Sequence, residues 1–267
     1  MASTNISADH ATTGLVTAEV TRAERISQNF VRVTVAGDSL ADWRHLGFDQ
    51  WLRLALPIAE GTRFDQLSDR FDAKGYLRYL TLPKATRPVI RSLTVREFRR
   101  EQRELDIDFV THGGEGFAGP WAASLPVGAT VGLIDQGCGF EPGDAMRSVR
   151  IAGEESALPA VLGVLRDLPP ETTGDAIIEV ADTADRQHVT APSGVRVHWI
   201  TRAHASRPGA EALAALRDLG AAGLEDPGLR AFIVGEHQLA SGGRKHLVNE
   251  LALPKAQVKF CGYWRKR

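Results

Sequence analysis

Apolar and polar residues alternate with a period of two along most of the first half of the chain, a pattern that predicts short strands. Thr17-Ala18-Glu19-Val20 and Asn29-Phe30-Val31-Arg32-Val33-Thr34-Val35 follow it, and the turn former Gly37-Asp38 ends the second run. Residues 50–56 alternate likewise and Pro57 closes them. Residues 91–95, a charged reversal at 99–104 and residues 105–110 come next; in the last run Leu105, Ile107 and Phe109 share one face while Asp106 and Asp108 take the other. Residues 128–134 supply a sixth candidate. Short strands separated by turns, with little helical periodicity, predict an antiparallel barrel.

The rhythm changes at Glu141-Pro142-Gly143-Asp144, taken as a linker. Beyond it, strands at 149–152, 176–180, 195–200, 231–234 and 257–260 alternate with helices. In the first helix Leu158, Val161, Leu162, Leu165 and Leu168 follow three-and-four spacing. Pro159 is tolerated there because the N–H groups of an opening turn have no intrahelical partner. A second helix is predicted around 210–219 and a third before the last strand. Alternating strands and helices predict a parallel sheet covered on both faces. The expected organisation is a flexible leader over 1–14, a β-barrel domain over 15–142 and an α/β domain over 147–267.

Composition narrows the function classes. The apolar class makes up 43% of 267 residues and charged residues 24%, a balance that folds into sizeable cores. Lys and Arg number 32 against 33 Asp and Glu, so no basic field recruits nucleic acid. Cys138 and Cys261 fit neither a disulfide framework nor a metal-ligand spacing. Met1-Ala2-Ser3-Thr4-Asn5 lacks the basic and apolar regions of a signal peptide, and no apolar run matches a bilayer, so a cytoplasmic protein is expected. The eight His form no H-E-x-x-H pair, and Ser156 sits in no nucleophile elbow, which argues against a bound metal and against hydrolysis.

Five segments have residue types suited to ligand chemistry. On an extended Arg91-Ser92-Leu93-Thr94 strand, Arg91 suits a phosphate and Thr94 a ring heteroatom, while the plain alternative is a solvated basic strand. His112-Gly113-Gly114-Glu115-Gly116-Phe117-Ala118-Gly119-Pro120-Trp121-Ala122 follows a strand; its glycines allow close backbone approach to a phosphate, and Trp121 suits either a ring system or a core. In Gly153-Glu154-Glu155-Ser156 the carboxylates would repel a pyrophosphate while capping the following helix. Arg202 and Arg207 follow a strand of the parallel sheet, where ligands of such sheets bind, and suit an anionic group or plain solvent. The terminal Lys259-Phe260-Cys261-Gly262-Tyr263-Trp264-Arg265 interleaves basic and aromatic residues and suits a small anionic substrate or a packed Trp with a frayed tail.

In their order these segments resemble the siderophore-interacting protein family, flavin-dependent ferric-siderophore reductases of the ferredoxin–NADP reductase-like superfamily. The resemblance runs from about Val16 to the C-terminus and is carried by Arg91-Ser92-Leu93-Thr94-Val95-Arg96, Asp108-Phe109-Val110-Thr111-His112-Gly113, Gly119-Pro120-Trp121-Ala122, Gly153-Glu154-Glu155-Ser156-Ala157-Leu158-Pro159-Ala160, Val234-Gly235-Glu236 and Gly262-Tyr263-Trp264-Arg265. It implies a two-domain β + α/β fold, an N-terminal antiparallel Greek-key β-barrel followed by a C-terminal parallel-sheet α/β (Rossmann-like) domain. It implies FAD in the barrel, with Arg91 at the diphosphate, Ser92, Leu93 and Thr94 along the flavin, and His112, Gly113, Gly119, Pro120, Trp121 and Ala122 framing the rest. It further implies NADPH or NADH as donor, with Arg202 and Arg207 at the NADP phosphate and a ferredoxin as the other candidate donor. Arg53, Lys259 and Arg265 would hold an anionic ferric siderophore.

The chain departs from the family at two places. Leu93 stands where the family's Arg-x-Tyr-Thr motif has an aromatic, so it covers the flavin by dispersion without ring stacking. Asp135-Gln136-Gly137-Cys138-Gly139 replaces a Gly-Pro-Arg-Gly-like turn, exchanging a basic residue for a thiol that is either redox-active or buried and inert. The expected chemistry is electron transfer from NAD(P)H through FAD to Fe(III), releasing Fe(II), with no side chain acting as acid or nucleophile. A flavin or electron-transfer reductase with another acceptor, and a non-catalytic flavin or siderophore binder, are the rival readings.

Overall fold

The computed structural model describes residues 4–8, 14–111 and 116–266. Two compact units divide them: residues 8, 14–46, 50–111 and 116–138 form one, and residues 4–7, 47–49 and 139–266 form the other.

Within the described residues, the N-terminal unit is built on one antiparallel sheet of seven strands. These are β1 (Leu15–Arg25), β2 (Phe30–Ala36), β3 (Trp51–Leu56), β4 (Val89–Thr94), β5 (Glu97–Arg99), β6 (Glu104–Val110) and β7 (Thr130–Asp135). Their order β4-β3-β7-β1-β2-β6-β5 is of Greek-key type, with β7 returning between β3 and β1. The two edge strands are consecutive in the chain and separated by Val95 and Arg96. The Val95 N–H donates to the Gln50 carbonyl at 2.8 Å and the Arg96 N–H to the Asp106 carbonyl at 2.8 Å. A sheet whose edges are joined by two residues must curl, and the result is a half-barrel rather than a flat layer. Alternation places Val31, Val33 and Val35, Leu52, Leu54 and Leu56, and Leu105, Ile107 and Phe109 in one core with Trp43.

Two features were not legible in the alternation. β5 forms just ahead of the charged reversal and pairs Arg99 with Glu104. The face carrying Asp106 and Asp108 is also buried, under arginines: Arg32 meets Asp108 at 2.7 Å and Arg99 meets Asp106 at 2.7 Å. Between β3 and β4 lies α1 (Ala73–Thr81), whose N-terminus is capped by Asp72 accepting from the Gly75 N–H at 2.8 Å. Tyr76, Leu77 and Leu80 of α1 are exposed, so its apolar residues do not mark a core face. The short α2 (Ala118–Ala123) precedes β7.

The C-terminal unit carries β8 (Ser148–Gly153), β9 (Thr173–Val180), β10 (Gly194–Thr201), β11 (Leu229–Glu236) and β12 (Val258–Trp264) in one parallel sheet, ordered β10-β9-β8-β11-β12. The helices are α3 (Leu158–Asp167), α4 (Ala210–Asp218) and α5 (His237–Arg244), the last continued by a π-helical turn at Lys245–Glu250. The sequence pattern gave α3 one apolar face, yet every residue from Leu158 to Leu165 is buried. Its polar side is covered by residues 47–49 of the same unit: Phe48 donates to Asp167 Oδ2 at 2.5 Å, and a side chain at Gly163 would stand 2.1 Å from the Phe48 carbonyl. Part of the expected leader is also held here. Thr4 bridges to Cys261, and Asn5 exchanges hydrogen bonds of 2.8 and 2.9 Å with Val258 and Phe260. No helix among the described residues is long and apolar enough to cross a membrane.

Candidate functional site

The first cluster of expected site residues lies on β4. Antiparallel pairing sets Thr94 opposite Trp51, Ser92 opposite Arg53 and Arg91 opposite Leu54. Arg91 and Ser92 are exposed, Leu93 is half-buried against the barrel core and Thr94 is buried. The Arg91 guanidinium donates to the carbonyl of Ile90 at 2.9 Å. Beside Thr94, the indole N–H of Trp51 is buried and has no hydrogen-bond partner among the described residues.

α2 carries the second cluster. Gly119 packs against the end of β6, where a Cβ would stand 2.9 Å from the Val110 carbonyl. Pro120 is exposed and Ala122 buried. The Trp121 ring lies 5.7 Å from that of Phe109 at 49°, so one part of this half-buried indole belongs to the barrel core. His112 and Gly113 lie outside the described residues. In the divergent turn after β7, Asp135 is buried, which pushes its carboxyl up, and accepts from the Gly137 N–H at 3.0 Å and Gln50 at 3.1 Å. Cys138 is half-buried, and neither it nor Cys261 is in a disulfide.

The parallel sheet of the C-terminal unit has a topological switch point. Its strand order reverses direction between β8 and β11, and ligands of open parallel sheets bind at the carboxyl ends of strands at such a switch point. Glu154 follows β8 there and is fully buried. It caps the next turn through the Ser156 N–H at 2.9 Å, as the sequence suggested, and accepts from the Trp264 Nε1 at 3.0 Å. Burial, reinforced by the Glu155 charge, pushes the Glu154 carboxyl up to about 7. Gly235, with φ +121, passes beneath: a Cβ would stand 2.6 Å from Glu154 Oε1.

Arg202 and Arg207, expected at the phosphate of NADP, are held by carboxylates instead. Arg202 grips both oxygens of Glu155 at 2.6 and 2.7 Å and reaches Glu179 at 3.0 Å. Burial alone would lower the Arg202 pKa, but these two carboxylates outweigh it and raise it. Arg207 donates to Glu236 at 2.9 Å and to the Lys266 carbonyl at 2.7 Å. Glu179 also accepts from the backbone of Gly209, Glu211 and Ala212, which caps α4. The helix starts that could receive an anion are thus closed by the chain's own carboxylates.

Of the residues expected at the siderophore, Arg53 belongs to the N-terminal unit and Lys259 and Arg265 to the other. Arg53 donates to Ser92 at 2.5 Å, with its guanidinium 5.2 Å from the Trp51 ring and 5.6 Å from Phe71. Lys259 pairs with Glu141 at 2.8 Å, and Arg265 is exposed. Sequence reasoning passed over Trp51 and Glu179, and it gave Glu155 only as a helix cap and Glu236 only within a motif, neither as the partner of an arginine. Glu154-Glu155 before a helix was the visible signal; the arginines that meet Glu155, Glu179 and Glu236 follow β10, far along the chain, and left none.

Comparison with known proteins accounts for this pairing of modules. The family model for the siderophore-interacting FAD-binding domain matches residues 19–138, and the model for siderophore-interacting protein matches residues 146–267. An uncharacterized protein of Mycobacterium tuberculosis is 33% identical over 93% of this chain and 89% of its own. Ferric vibriobactin reductase ViuB of Vibrio cholerae is 29% identical over 92% of this chain and 87% of its own. A crystal structure of a siderophore utilization protein from T. fusca superposes with a TM-score of 0.75 at 28% identity, covering 94% of this chain and 93% of that one. The chain therefore belongs to the siderophore-interacting protein family.

Proposed function

We propose that this chain is a flavin-dependent reductase that delivers electrons to Fe(III) in an anionic siderophore chelate and releases Fe(II). One observation carries the flavin: the buried Trp51 N–H without an acceptor, directly across from Thr94. An unpaired buried donor costs free energy unless something accepts from it, and the carbonyl oxygens of an isoalloxazine are acceptors of that kind. The exposed Arg91 guanidinium on the same strand suits the diphosphate, and Thr94 would orient the ring. The residues present therefore fit FAD.

When bound, FAD supplies the link between two-electron donors and one-electron acceptors. The side chains contribute orientation and charge. Arg53, held by Ser92 and lying over two aromatic rings, would draw an anionic chelate by its positive charge, and in the C-terminal unit Lys259 and Arg265 are the basic side chains proposed for the same substrate. Hard oxygen ligands hold Fe(III) far better than Fe(II), so reduction loosens the chelate. A nicotinamide dinucleotide is the proposed donor, and Arg202 and Arg207 do not fit the role of its phosphate clamp.

The test is anaerobic. Yellow protein, after addition of FAD, should bleach with NADH or NADPH and recolour on a ferric siderophore as an Fe(II) trap develops its absorbance. Arg53→Ala and Lys259→Ala should raise the siderophore KM while flavin content stays the same. A chain that takes up no FAD would remove the proposal at its root.

A further inference from the structure

We propose that Glu155 and Glu236 set the nucleotide specificity of the C-terminal unit by holding Arg202 and Arg207 away from phosphate, so that the unit does not distinguish 2′-phosphorylated from unphosphorylated adenosine. The proposal rests on the reading of this chain as a reductase with a dinucleotide donor.

The geometry is one of substitution. A 2′-phosphate is ordinarily held by two parallel N–H bonds from an arginine. On Arg202 that fork already faces Glu155, with bonds of 2.6 and 2.7 Å, and one of its nitrogens also meets Glu179. Glu155 is 1% exposed at its side chain and Glu179 not at all, so neither can turn outward to water and release the arginine. Glu179 is further fixed by three backbone N–H groups at the start of α4. Arg207 is held through one nitrogen only: its Nη2 donates to the buried Glu236, which also accepts from the backbone of Gln238 and Lys266, while its buried Nε has no partner among the described residues.

An incoming phosphate would have to displace a buried carboxylate from Arg202 and leave it without its partner, and at Arg207 it would share the guanidinium with Glu236. Arg186 is an exposed arginine beside the end of β10, donating to Thr201 at 3.2 Å and lying 6.0 Å from the Trp199 ring. A clamp on Arg186 is the outcome opposed to this proposal.

The test uses the full chain loaded with FAD and measures binding of 2′,5′-ADP and 5′-AMP by calorimetry. Wild type should bind the two within about threefold, and Arg202→Met should leave that ratio unchanged. Glu155→Gln, which keeps the shape and removes the charge, should raise the preference for 2′,5′-ADP about tenfold, the scale of one charge-assisted contact released to the ligand. Glu236→Gln should do the same through Arg207, and it carries the test if Glu155→Gln fails to fold. A merely structural role for these carboxylates would not move the ratio. A wild-type preference of about tenfold or more, whether it is lost in Arg202→Met or in Arg186→Ala, overturns the proposal. So does an unchanged ratio in folded Glu155→Gln and Glu236→Gln. Binding is read without turnover, so a failure here is separate from a failure to bleach or to reduce iron.

Discussion

The indole of Trp264 donates to Glu154 Oε1 at 3.0 Å, tying the end of β12 to the end of β8 across the strand that separates them. Gly235 of that middle strand makes room for the bond. Its positive φ and the 2.6 Å approach of a Cβ to Glu154 leave no space for a side chain.

Gly235→Ala should therefore destabilise the fold by on the order of 2–5 kcal/mol, from about 1–3 for the strained backbone and a similar amount for overpacking. Thermal melting should fall by roughly 5–15 °C in a chain of this size. Trp264 fluorescence should shift to the red as the indole loses its partner. A variant that melts with wild type would show that the strand end yields freely.

Glu154 and Asp49 give stability a pH dependence of one sign. Burial pushes Asp49 up to about 6 and Glu154 up to about 7. Between its ordinary value of 4.5 and about 7, Glu154 keeps a proton in the folded chain that the unfolded chain has lost, so its contribution to stability declines as pH rises through that window and is flat above it. The Asp49 contribution declines in the same direction and is complete by about pH 6. Denaturant midpoints at pH 6.2, 6.7 and 7.5 should fall more steeply in wild type than in Glu154→Gln. Parallel curves for the two proteins would exclude Glu154 as the source.

Asp106 sits under Arg99 and Thr34, at 2.7 Å from each. Burial raises its carboxyl, but the hydrogen bonds from Arg99 and Thr34 outweigh it and hold the pKa below the ordinary range. Its stabilisation is present above that ordinary value and is lost as pH falls through the lowered one. Asp106→Ala should cost about 2–4 kcal/mol at pH 7, less than the loss of a fully buried pair because Arg99 keeps contact with water and Glu104. Chemical denaturation measures it, and a loss below about 0.5 kcal/mol would place the pair among ordinary surface bridges.

Leu93→Tyr restores the aromatic of the family motif at a half-buried position beside the barrel core. Ring stacking is worth about 0.5–1.5 kcal/mol, so FAD should bind roughly two- to tenfold more tightly. Equilibrium dialysis with FAD reads this directly, and unchanged or weaker binding would mean that residue 93 does not face the flavin.

Much of the architecture was legible before the structure. Val31, Val33 and Val35, and Leu105, Ile107 and Phe109, alternate cleanly because one barrel face is dry, and this marks both strand and core face. α1 was not read from the sequence: Tyr76, Leu77 and Leu80 do fall at three-and-four spacing, but only within a nine-residue segment, and they end exposed and not in the core; the Asp72 cap was its other signal. The site divided in the same way. Arg91 and Thr94 could be placed on a strand from their neighbours alone, whereas the arginines after β10 could not be assigned partners.

Local periodicity settles which segments are strands or helices and which side chains turn inward, since both follow from the geometry of consecutive residues. Ion pairing obeys a different rule. Arg202 meets Glu155 across 47 positions of chain and Trp264 meets Glu154 across 110, because the order of strands in the sheet leaves only one strand between their ends. A charge takes the partner that lies nearest in space, and in a parallel sheet that neighbour is chosen by topology and not by the residues beside it in the chain.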